Sequence, residues 1–119
     1  MPITVRKASD IANILTHKID GNLNEFNISP DDSEFPLLCI FVNENLAYLW
    51  FCEVEDHPGF NSKSHMPIVE NKEVPFLMWD DISSMSKEFV ISIDKAIQAA
   101  NEFYDTGHRP TCIDWQSLL

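Results

Sequence analysis

Glycine is scarce, with three in 119 residues. A glycine-rich cradle that brings backbone N–H groups onto a phosphate is therefore excluded, and each glycine reads as a local turn. Cysteine is also sparse. Cys39, Cys52 and Cys112 are odd in number, far apart and set in apolar stretches. They read as buried free thiols of a reducing compartment, not as a disulfide framework. There is no CxxC and no histidine pair at ligand spacing. His57 and His65 flank a loop, but no cysteine or carboxylate spacing completes a site, so neither a metal nor a cofactor is expected. No apolar run approaches the length of a membrane span, and the opening residues, Met1 to Lys7, lack the apolar core of a signal peptide. The expectation is a cytoplasmic protein with no membrane partner.

Basic residues are few as well. Eight stand against 19 acidic ones, a formal net charge of −11. That balance argues against direct binding of nucleic acid or an anionic membrane. It suits a basic partner, and proteins that themselves bind nucleic acid are the commonest kind. Plain solubility explains the charge equally well. The hydrophobic content of 45% is ordinary, and the length suits one domain over residues 1–119 with a single unstapled core.

Reactive constellations are missing too. No Ser-His-Asp or Cys-His order stands out. The acidic pairs Asp31-Asp32, Glu53/Glu55-Asp56 and Asp80-Asp81 fall in or beside predicted loops, where a solvated rim is a better reading than an acid–base pair. The chain does not read as an enzyme. A small enzyme using His57 or His108 with a nearby carboxylate is the minority alternative.

What is present is most fully specified near the C-terminus. Phe89 to Ile91 suits a strand. Ser92 stands where an N-cap belongs, and Asp94 complements the helix dipole. Ile93, Ala96, Ile97, Ala100, Phe103 and Tyr104 form one apolar stripe, so a helix is predicted over about 93–105. Gly107 ends it, Pro110 prevents a restart, and Thr111 to Trp115 alternate as a last strand. A catalytic loop built on His108 and Arg109 is conceivable, but a helix stop accounts for every residue, and Trp115 reads as a core plug.

Upstream, Ile3 to Val5 is a brief strand candidate. A helix follows over about 9–19, capped by Ser9 or Asp10 and buried through Ile11, Ile14, Leu15 and Ile19. Leu23 to Ile28 fits a modest strand. Phe35 to Val42 and Leu46 to Val54 form the clearest hairpin, apolar on both faces. Either both faces are covered or one is a partner surface, and two helices hardly suffice for full cover. Residues 53–65 leave the sheet as a long loop, Val74 to Trp79 is a strand, and 80–86 is a turn back. The expected order is β-α-β-β-β-loop-β-β-α-β. This is an α+β fold with a mainly antiparallel sheet and two main helices.

The alanine-rich helix, then Phe103, Thr106-Gly107-x-Arg109-Pro110 and Trp115 resemble the type-one Imm family, with Ala96, Ala99 and Ala100 as the matching alanines. These are immunity proteins of bacterial polymorphic and contact-dependent toxin systems. The resemblance is specific over Ile91 to Trp115 and is otherwise a compatible order of elements. It implies a protein that binds a cognate toxin domain and blocks it without catalysis, the toxin often being a nuclease or nucleic-acid deaminase. The net charge then suggests occlusion of a basic cleft. Ser92, Phe103, Gly107, Arg109, Pro110 and Trp115 are expected to be scaffold. Toxin binding is expected where scaffold logic is weakest, at Glu53, Glu55, Asp56, His57, Phe60, Trp79, Asp80 and Asp81. The competing reading is a generic interaction module, a homodimer through Tyr48 and Trp50 or an adaptor.

Overall fold

A computed structural model describes residues 23–29, 33–64, 73–79 and 81–118. The expected strand at 3–5, the expected helix at about 9–19, His65 and the acidic positions Asp31, Asp32 and Asp80 lie outside the described residues. Among the described residues the fold is α+β, mainly antiparallel, with one main helix.

The main sheet is built on the expected hairpin. Strand β2 (Leu37–Asn43) and strand β3 (Leu46–Cys52) pair in the register Phe41↔Tyr48 and Leu38↔Phe51. Glu44, at the turn, takes a left-handed backbone with φ 54°. Strand β1 (Leu23–Ile28) adds antiparallel to β2. The other edge of β3 is shared. Its first half pairs with β7 (Val90–Ser92), and its second half with β4 (Phe60–Lys63). Strand β8 (Asp114–Ser117) closes the sheet against β4.

Both faces of β2 and β3 are buried, because each has its own cover. Leu38, Ile40, Val42, Ala47, Leu49 and Phe51 project towards helix α1 (Ile93–Thr106). That helix presents Ala96, Ala99, Ala100 and Phe103, so the slim stripe lets it lie close on the sheet. The Phe103 ring meets Phe51 edge to face at 5.6 Å. Cys39, Phe41, Tyr48 and Val90 project the other way, against Val74 and Phe76. These two come from a separate hairpin, β5 (Glu73–Met78) with β6 (Asp81–Ser86). The second cover is therefore a small sheet. Tyr48 is buried beneath it, so the chain itself occupies the Tyr48 part of the face expected for a homodimer, while Trp50 is half-buried.

Three boundaries differ from expectation. Residues 81–86 form a strand, although Asp and Ser rarely favour one; pairing with β5 over its full length, from Glu73↔Ser86 to Met78↔Asp81, overrides propensity. The loop after β3 stops at Gly59, because residues 60–63 enter the sheet. The last strand begins at Asp114, since the carboxylate of Glu102 holds Thr111 and Cys112 by their N–H groups before the sheet starts.

Ser62 explains how β3 changes partners without leaving a hole. Leu49 lies between the β7 and β4 pairings. Its N–H donates to the Ser62 hydroxyl at 3.0 Å, and that hydroxyl donates to the Phe89 carbonyl at 2.7 Å. Ser62 is fully buried, so neither group has water as a substitute. Ser62→Ala is expected to cost about 1–3 kcal/mol in urea unfolding. A loss under about 0.5 kcal/mol would mean that the seam closes another way.

Candidate functional site

The acidic loop, residues 53–59, is pinned rather than loose. The His57 N–H donates to the Val54 carbonyl at 3.3 Å, and the Gly59 N–H donates to His57 Nδ1 at 2.8 Å. The Cys52 thiol lies 3.0 Å from the Val54 carbonyl and 3.3 Å from that of His57. Asp56 takes the left-handed backbone, φ 67°, which aspartate tolerates better than most residues. The carboxylates of Glu53, Glu55 and Asp56 consequently stand on a fixed frame, and all three residues are exposed.

The second part of the expected surface is the tip of the β5–β6 hairpin. Trp79, φ 48°, is 56% exposed. Its N–H donates to Glu25 Oε1 at 2.6 Å. Its ring meets Phe41 at 5.2 Å and Trp50 at 6.0 Å, both at steep interplanar angles. Asp81 follows and is exposed.

Trp50 joins the two parts. Its indole N–H donates to the Pro58 carbonyl at 3.1 Å, which ties it to the acidic loop, while its ring edges Trp79. Phe60 belongs elsewhere. It is a strand residue, half-buried, and turns towards the helix side. His57 stacks on its ring, and the Arg109 guanidinium carbon sits 4.2 Å from its centroid. With Nδ1 engaged and one face on Phe60, His57 is a brace for the loop.

The residues of the closing motif have structural partners. Ser92 caps α1 by accepting from Lys95 N–H, and Gly107, φ 71°, ends the helix with its N–H on Phe103 O. Pro110 is buried, and its carbonyl accepts from the Trp115 indole at 2.8 Å. Trp115 is half-buried and packs at the border of the core, 6.0 Å from Phe51. Arg109 rests on Phe60. An open cavity of about 490 Å³ lies beside this motif, with Phe51, Glu53, His108, Arg109, Asp114 and Trp115 among its lining.

The groups pushed from their ordinary protonation range lie outside that cavity. Burial, helped by the Glu25 carboxylate, pushes the Cys39 thiol up to about 12. Burial raises the Tyr48 phenol, with Cys39 as the lesser cause. Its hydroxyl donates to Asn61 Oδ1. Burial also raises the thiols of Cys52 and Cys112, the latter with Glu102 adding to the effect. These thiols are free and hold their protons at neutral pH, which makes them poor nucleophiles. Among the described residues no group of His, Cys, Asp and Glu is placed to hold a metal ion.

Sequence reasoning missed Glu25 and Glu102 and named Trp50 only as part of a homodimer face. Glu25 acts on Trp79, 54 positions along the chain, and Glu102 on backbone groups nine and ten positions on, so no local pattern marks either.

The family model of the immunity protein Imm1 matches residues 3–117. The chain belongs to the Imm1 immunity-protein family. A relative 23% identical over 116 residues, spanning 98% of this chain and 93% of its own, is the double-stranded DNA deaminase immunity protein of Burkholderia cenocepacia strain H111. As an Imm1 protein the chain binds a cognate toxin domain and neutralises it. Among the described residues no helix is long and apolar enough to cross a membrane.

Proposed function

We propose that this Imm1 protein neutralises a toxin that acts on nucleic acid, a deaminase in preference to a nuclease, by covering its basic substrate cleft. The observation that carries this reading is the fixed, exposed acidic loop of Glu53, Glu55 and Asp56 on a chain of net charge −11. A cleft shaped for a polyanion presents Lys and Arg, and carboxylates at set positions take the place of phosphates. The deaminase preference rests on the name of the Burkholderia relative.

The proposed surface is Glu53, Glu55, Asp56 and His57 on the loop, with Phe60 behind them, Trp79 and Asp81 at the hairpin tip, and Asp80, which lies outside the described residues. The protein works by occupancy and performs no reaction. It acts as one domain over 1–119, in the cytoplasm, where an incoming toxin meets DNA.

The direct test is competition. A catalytically inactivated cognate toxin domain, from the reading frame adjacent to this one, is titrated with labelled double-stranded DNA and then with this protein. Displacement of the DNA at one equivalent is the expected result. A ternary complex, with activity still blocked in the active toxin, would place the contact away from the cleft.

A further inference from the structure

We propose that Trp79 is the principal anchor of the toxin interface and that Glu25 is the residue that positions it. The inference rests on the toxin-binding reading above and deepens it. It separates the group that holds the complex from the carboxylates that draw the partners together.

The first observation is a strained turn that carries an exposed aromatic. Trp79 holds a left-handed backbone, φ 48°, which a bulky side chain rarely adopts. Glycine and asparagine are the usual occupants of such turn positions. A tryptophan here makes sense as a core plug only if it is buried, yet it is 56% exposed. The second is fixation. The Glu25 carboxylate takes the Trp79 N–H at 2.6 Å, and Phe41 and Trp50 flank the indole from beneath. An exposed aromatic that is already ordered loses little entropy on binding, as an interface anchor should.

Charge selects the occupant. Asp81 adjoins the patch, and Trp50 links it to the acidic loop. Polyanions and anionic lipid are repelled, and a second copy of this chain brings its own charge of −11. The basic cleft proposed for the toxin domain is the matching partner.

The test uses the full chain and the catalytically inactivated cognate toxin domain, with association and dissociation rates measured at physiological salt. Trp79→Asn keeps the left-handed turn and gives up the ring contacts with Phe41 and Trp50, so the protein should still fold, with a melting temperature lowered by a few degrees. Dissociation should quicken about 30-fold or more while association changes less than about threefold. Glu25→Ala should quicken dissociation about fivefold to tenfold, and Glu25→Gln, whose amide oxygen still accepts the N–H, should recover most of it. If wild-type protein binds and Trp79→Asn dissociates within threefold of it, the anchor is wrong and the toxin reading survives. If wild-type protein forms no complex, both fall. A sedimenting dimer of the wild type that Trp79→Asn dissolves would also overturn the proposal, by assigning the patch to self-association.

Discussion

Reversing Glu53, Glu55 and Asp56 to lysine together is expected to slow association with the toxin domain by about ten- to a hundredfold at low salt. Each substitution changes the charge by two, so the triple variant carries −5 in place of −11. The three side chains are exposed and their loop is held by backbone groups, His57 and Cys52 rather than by its carboxylates. The fold should therefore survive. The main structural cost falls at Asp56, where lysine is less at ease at φ 67°, and it should stay near 1 kcal/mol, about what a left-handed residue forfeits. Salt provides the internal check. The wild-type association rate should fall steeply as ionic strength rises, because screening shortens the reach of the field to about 10 Å at 0.1 M. The variant's rate should be nearly flat. Unchanged association and unchanged protection of toxin-exposed cells would remove this loop from the interface.

The fold was legible wherever its determinants are local. Ser92, Asp94, Gly107 and Pro110 mark helix α1 within a few residues of its ends, and the structure begins and ends it there. The β2–β3 hairpin was equally plain, because its apolar runs flank a short polar turn. What could not be read is what depends on distant partners. Strand β6 is a run of Asp, Ile, Ser and Met with no strand signature of its own, and it forms because β5 needs a partner over the Tyr48 face. Strand β4 is short and carries Asn61 and Ser62, whose side chains serve Tyr48 and the β3 seam, so its polarity imitates a loop. The surface divides the same way. An acidic loop and an exposed tryptophan can be suspected from order and composition. Their junction through Trp50, and the hold of Glu25 on a residue 54 positions away, arise only from the fold.

That junction makes Gly59 the most sensitive small residue near the site. Gly59→Ala is expected to destabilise the protein by about 2–4 kcal/mol, through overpacking and a left-handed backbone together. A methyl group there would stand 2.6 Å from the Trp50 indole nitrogen and 2.8 Å from the Phe51 carbonyl oxygen, at φ +90°. Neither neighbour retreats cheaply. Phe51 is buried core, and the Trp50 indole is held by Pro58 on one side and Trp79 on the other. Gly107→Ala is the matched control. It shares the positive φ, 71°, but has nothing within 4 Å, so it should cost only about 1–2 kcal/mol. The difference between the two in chemical unfolding isolates the crowding at Trp50 from the backbone penalty. Gly59→Ala should also disturb binding where Gly107→Ala does not, since displacing Trp50 moves the support beneath Trp79 and the acidic loop at once. If the two variants lost equal stability, the close packing of loop on indole would not be what holds this surface in shape.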